Sequence, residues 1–124
     1  MEGKRDGERR SEAFGRKYRL GGNRNYRYVY RRGKSYPSRN LVLIHLKGRD
    51  LKIGFSVSGK VGNAVKRNRV RRILREDVRR LRCRMKSGRY VFIARTGIVD
   101  TPHEAVTREL HKLLQRAKLL KEEG

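Results

Sequence analysis

The stretch Gly59-Lys60-Val61-Gly62-Asn63-Ala64-Val65-Lys66-Arg67-Asn68-Arg69-Val70-Arg71-Arg72 (residues 59–72) carries two glycines three apart and runs straight into a segment crowded with cations. At about 100° per residue, residues 66–82 place Val70, Ile73, Leu74, Val78 and Leu81 on one apolar stripe. Asn68, Arg72, Arg75 and Arg79 fall on the opposite side, with Arg67, Arg69 and Arg71 on the flanks. The pattern predicts a helix that buries one stripe against a core and leaves guanidinium groups in solvent. Each guanidinium can fork onto phosphate oxygens. Ala64 and Val65 fall off the stripe when the helix is extended backwards. Either the helix starts later or its first turn packs against a second surface.

Charge balance extends the argument. Glu76 and Asp77 are the only carboxylates between Asp50 and Asp100. The whole chain of 124 residues carries 35 Lys and Arg against 12 Asp and Glu, a formal charge of +23. A cationic surface of that density repels itself unless something anionic covers it, which points to nucleic acid or an anionic membrane. No apolar run approaches the roughly 18 residues of a spanning helix, and no signal peptide or lipidation motif opens the sequence. No membrane role is expected. The single cysteine, Cys83, excludes a disulfide framework and a thiolate zinc site. It is expected to be a half-buried helix residue, and a cytoplasmic setting fits it.

Outward from this stretch, residues 1–16 lack apolar periodicity and read as a disordered basic tail. Residues 17–120 form the expected single domain, followed by a short tail at 121–124. Gly21-Gly22-Asn23 predicts a turn with Asn23 as N-cap of a short helix ending at Gly33. Tyr26 and Tyr30, four apart, face the same way on it. They form either a core-facing edge or an aromatic platform for unstacked bases, flanked by Arg24, Arg27 and Arg31. Lys34 to Ser38 reads as a short edge strand because of Pro37. Leu41–Leu46 and Leu51–Val57 read as strands joined by Lys47-Gly48-Arg49-Asp50 in an antiparallel hairpin. Alternation puts Leu51, Ile53, Phe55 and Val57 on one face, and Lys52, Gly54, Ser56 and Ser58 on the other.

The glycine loop at 58–63 lacks the Gly-Lys-[Ser/Thr] signature of a P-loop, though its amides suit an anion nest. Beyond the central helix, ended by Ser87-Gly88, Arg89–Arg95 predicts a buried strand. Thr101, Pro102 and Glu104 have the spacing of a capping box opening a last helix that ends near Leu120. The order is αβββαβα, an α/β chain of the α+β sandwich kind. His45 stands apart from the other histidines and reads as a satisfied or exposed side chain. No cluster suggests a metal site, and the carboxylates do not gather as a two-metal nuclease requires. No catalytic residue is assigned to the protein.

Taken together, Ile53-Gly54-Phe55-Ser56-Val57-Ser58, Gly62-Asn63-Ala64-Val65 and Arg67-Asn68-Arg69-Val70-Arg71-Arg72 resemble the protein subunit of bacterial ribonuclease P. Tyr26 through Tyr30, Gly33-Lys34-Ser35 and Ile93-Ala94-Arg95 support the resemblance, which spans roughly residues 17–120. It implies a four-stranded sheet with a left-handed strand–helix–strand crossover, against the general right-handed rule. It also implies that a large RNA, working with Mg²⁺, cuts the 5′ leader from precursor tRNA, so that the protein is an accessory subunit of an RNA-catalysed endonuclease.

Carried onto this chain, the resemblance places Lys60, Lys66, Arg67, Asn68, Arg69, Arg71, Arg72 and Arg75 toward the catalytic RNA. Tyr26, Tyr30, Lys34 and Phe55 mark the leader side, with Ser56, Ser58 and Arg95 as polar neighbours. The partners implied are ribonuclease P RNA and precursor tRNA, with no protein partner. The chain departs from the family in having Tyr26 where Phe is frequent, Ile44 where a ring is common, and Gly21-Gly22 before the first helix. A general RNA-binding or ribosomal protein without a leader cleft is the alternative reading.

Overall fold

The computed structural model describes residues 16–121. Most of the expected basic tail, residues 1–15, and residues 122–124 lie outside the described residues; Arg16 opens a 3-10 turn through Tyr18. Three helices, α1 (Asn23–Arg32), α2 (Ala64–Leu81) and α3 (His103–Arg116), surround one mixed sheet. Its strands are β1 (Lys34–Pro37), β2 (Leu41–Leu46), β3 (Leu51–Ser56) and β4 (Gly88–Ala94), in spatial order β1-β2-β4-β3. The chain order αβββαβα is as expected.

The pairing differs from expectation at one decisive place. β2 and β3 form no hairpin, because β4 lies between them, antiparallel to β2 and parallel to β3. β4 has the most thoroughly buried pattern of the four strands, with Tyr90, Val91 and Phe92 fully inside. A strand buried on both faces belongs at the centre of a sheet, and β2 and β3 each give it one edge. Residues 47–50 therefore span the start of β4 instead of turning tightly, and the Gly88 amide donates to the Asp50 carbonyl at 3.1 Å. Gly88 sits at φ 129°, and a Cβ there would lie 2.4 Å from His45 Nε2 and 2.8 Å from the Leu46 carbonyl oxygen. Only glycine fits this crossing. The true hairpin is β1–β2, closed by the Ser38 amide donating to the Leu41 carbonyl.

The sheet divides the apolar residues into two layers. On one face Leu41, Leu43, Ile53, Tyr90 and Phe92 pack against Val70, Leu74 and Val78 of α2 and Val106, Leu110 and Leu114 of α3. On the other, Ile44 and Val91 meet Val29 of α1 and Leu20. The stripe read for α2 is borne out: Val70, Leu74 and Val78 are buried, and Ile73 and Leu81 pack against the core. The helix begins earlier than residue 66, with Asn63 Oδ1 accepting from the Lys66 amide at 3.0 Å. In its first turn the apolar Val65 is 78% exposed, so that side chain is not packed on a second surface.

Several local expectations are corrected. Asn23 is the first helical residue of α1, and Gly22, at φ 78°, holds the cap position; Asn25 Nδ2 donates to the Gly21 carbonyl instead. The capping box at Thr101 does not form. The Thr101 hydroxyl turns back to the Gly97 carbonyl in the preceding 3-10 turn, and Pro102 occupies the cap position. α2 ends at Leu81, well before Ser87-Gly88, and continues as a 3-10 turn in which Cys83 is exposed rather than half-buried. α3 ends at Arg116, and Leu120 forms an isolated bridge with Met85.

Candidate nucleic-acid interface

The cationic face lies on α2 because Asn63 starts the helix where the cations begin. Lys66, Asn68, Arg69, Arg72 and Arg75 are exposed, and Arg67 and Arg71 are half-buried. Arg67 Nε donates to the Gly62 carbonyl at 3.1 Å, tying the glycine loop to the helix. Arg71 Nη1 donates to Asn68 Oδ1 at 3.0 Å, which fixes that guanidinium across one turn. Lys60 lies in the 3-10 turn Gly59–Val61, which Ser58 caps through its hydroxyl. The two carboxylates of α2 both have partners within the fold. Glu76 is engaged by Arg79 and, at 3.6 Å, by Arg80, farther along the helix. Asp77 is 2% exposed and faces α3, where its oxygens accept from the Thr107 hydroxyl at 3.0 and 3.1 Å and lie 3.3 Å from His103 Nε2.

Arg19 joins the cationic face, and sequence reasoning missed it. It forms a parallel bridge to Ile53 along the β3 edge, and the Leu20 amide donates to the Ile53 carbonyl at 2.9 Å. The Arg75 guanidinium is held below the usual arginine value, first by burial and then by the positive charges of Arg19 and Arg71. No local signal marks Arg19, because its placement depends on a strand more than thirty residues away.

The α1 face of the sheet is covered unevenly. Register places Ser35, Ile44, Val91 and Gly54 in one row, and Pro37, Val42, Ile93 and Ser56 in the next. α1 covers the first row. Val29 is fully buried there, and the Tyr26 ring lies so close over Gly54 that a Cβ would come within 2.5 Å of the phenol oxygen. In the second row Val42, Ile93 and Ser56 are only half-buried and Pro37 is exposed. Tyr26 and Tyr30 stand beside it in an edge-to-face pair, ring centroids 6.3 Å apart. Burial pushes the Tyr26 phenol above its ordinary pKa, more than a hydrogen bond with the Phe55 backbone lowers it. Tyr26 is half-buried against the sheet and Tyr30 is 40% exposed.

Not every residue implied for this side comes to it. The Phe55 ring points to the opposite face and stacks on Phe92 at 5.9 Å, so only its backbone reaches Tyr26. The Lys34 ammonium lies over the Tyr36 ring, 5.6 Å from its centroid. Lys34 pairs in register with His45, away from the row that holds Ser35. Arg95 follows β4, and its Nη1 donates to the Ser38 carbonyl at 3.1 Å. Among the described residues no group of three or more His, Cys, Asp or Glu side chains is placed to hold a metal. No described helix is long and apolar enough to cross a membrane.

These features define a small basic α+β protein with one cationic helix set beside a partly open sheet face. The model of the family described as Ribonuclease P matches residues 14–118. The chain belongs to that family. It is 38% identical over 107 residues to the ribonuclease P protein component of Streptococcus equi subsp. equi, covering 85% of this chain and 90% of that one. The RNase P protein of Staphylococcus aureus superposes with a TM-score of 0.80 at 28% identity, covering 86% of this chain and 100% of that one. The RNase P protein of Thermotoga maritima gives 0.72 at 29% identity, with 86% and 98% covered.

Proposed function

We propose that this chain is the protein subunit of a ribonucleoprotein that matures the 5′ end of tRNA, binding the catalytic RNA along α2 and the precursor's single-stranded leader on the open row of the sheet. The observation that carries this reading is the adjacency of the two surfaces: Ser56 ends the open row, and Ser58 and Lys60 follow it directly into the loop that starts α2. The cationic helix supplies phosphate contacts, and Val42, Ile93, Tyr26 and Tyr30 supply apolar and aromatic surface for unstacked bases. Cations between two polyanions replace part of the counterion atmosphere, so the two RNAs associate with less Mg²⁺. The catalytic groups and the Mg²⁺ belong to the RNA in this reading, and the assembly works in the cytoplasm.

The test is cleavage of a leader-bearing precursor tRNA by bacterial ribonuclease P RNA at low Mg²⁺, with and without the protein. Restored cleavage, with neither component active alone, is expected. Binding of both RNAs without rescue, and with no preference for precursor over mature tRNA, favours a general RNA-binding protein. Cleavage by the protein alone overturns the reading.

A further inference from the structure

The open row ends at Pro37, on the edge strand, and a second cationic surface begins there. The β1–β2 turn and α3 enclose a groove of about 480 Å³ whose polar lining is Ser38, Arg39, Arg108, Glu109, Lys112 and Arg116. Glu109 is the groove's only carboxylate, and it is taken up by neutral donors. Its Oε2 accepts from the Ser38 hydroxyl and, at 2.6 Å, from the Asn40 amide; its Oε1 accepts from Asn40 Nδ2 at 2.8 Å. Arg39, Arg108 and Lys112 are exposed and form no ion pair among the described residues. Arg116 donates to the Pro37 carbonyl, and Arg95 donates to the Ser38 carbonyl, so guanidinium groups join the groove to the end of the row.

We propose that this groove holds the sugar–phosphate backbone of the leader after it has crossed the sheet, farther from the cleavage point than the bases on the open row. The inference rests on the proposed function. Crossing from Ser56 to Pro37 spans three strand spacings, about 14 Å. No acidic residue lies along that row. A strand that leaves over Pro37 meets Arg39 and Arg116 first, and Arg108 and Lys112 next. The groove lining contains no aromatic side chain. It therefore grips phosphates without stacking bases, and its contribution is insensitive to leader sequence.

The experiment uses the assembled protein–RNA enzyme and precursor tRNAs whose leaders are lengthened stepwise. Affinity is measured against salt for the native chain and for the double variant Arg108→Gln/Lys112→Gln. Both side chains are exposed on α3, so the fold is retained, and thermal melting checks this. With long leaders the variant is expected to bind about tenfold more weakly, with a log–log salt slope lower by about 1.4, the value for two phosphate contacts on a single strand. Leaders that only reach across the sheet bind both proteins equally. Charge reversal, Arg108→Glu/Lys112→Glu, widens the long-leader deficit. Equal weakening toward mature tRNA or toward the catalytic RNA alone overturns the proposal and assigns the groove to the catalytic RNA. A native chain that gains affinity from long leaders as much as its variant does overturns the groove alone. A native chain that gains nothing from any leader removes the functional reading with it.

Discussion

Arg67 shows how one side chain serves both structure and charge. Its Nε–H holds the Gly62 carbonyl while the rest of the guanidinium remains available beside exposed Arg69. Arg67→Ala/Arg69→Ala is expected to weaken binding of the catalytic RNA and lower the salt slope by about 1.4 to 1.8. Filter binding across a salt series checks this, and an unchanged slope moves the RNA face off α2. Gly54 is the complementary case, a residue defined by what it lacks. Gly54→Ala sets a methyl against the Tyr26 ring and is expected to cost about 1–3 kcal/mol, read as a lower Tm with leader affinity falling in parallel. His45 is set by its surroundings. Burial lowers its pKa, with Lys47 adding to the shift and the Ser87 carbonyl, 3.2 Å from Nε2, opposing it. The unfolded chain thus takes up this proton at a higher pH than the folded one. The associated stability is complete above about pH 6.5 and is lost as the pH falls through that value toward the folded pKa. Thermal melts of the native chain and His45→Gln over that window check it; the variant's decline is shallower.

At the scale of elements, the α2–α3 seam depends on Asp77, a charge buried against a hydroxyl and an imidazole. Asp77→Ala is expected to lower stability by about 1–3 kcal/mol, while catalytic-RNA affinity measured well below Tm stays near native because the cations lie on other faces of α2. Chemical denaturation separates the two. The same seam shows what the sequence allowed to be read. The stripe from Val70 to Leu81 was legible because it is a local pattern, whereas the Asn63 cap went unread because Ala64 and Val65 fall off that stripe. Also legible were β2 and β4, apolar runs between turns, β3 by its alternation and β1 by its Pro37. The pairing of β2 with β4 was not, since adjacency in sequence favoured a hairpin and only competition among distant edges decides otherwise. Thr101 had the right spacing for a capping box, but a carbonyl four residues back took its hydroxyl. Glu109 and Arg19 act across 69 and 34 residues respectively and leave no periodic trace. Alternation along β3 already set Phe55 on the face of Ile53, where its ring lies, although the family resemblance assigned it to the leader side. The face of Lys34 follows from strand register, which the resemblance did not specify.

For the molecule as a whole, +23 charges on 124 residues make the folded state self-repelling. Anions that bind the compact chain should stabilise it by mass action. Tm is expected to rise as sulfate or phosphate replaces chloride at constant ionic strength, and differential scanning measures it; an unchanged Tm means the charges are already balanced within the fold. The position of β4 has a consequence for how the protein is made. A ribosome releases β1, β2, β3 and all of α2 before the strand that joins β2 to β3 exists. Until residue 94 has emerged, two apolar strand edges face an empty slot, and Tyr26 has no fixed floor beneath it. The platform that the early part of the chain displays is therefore completed only after all of α2 has been made, and a transcript cut short before β4 leaves β3 with no strand beside it and the cationic helix with only half a sheet to organise it.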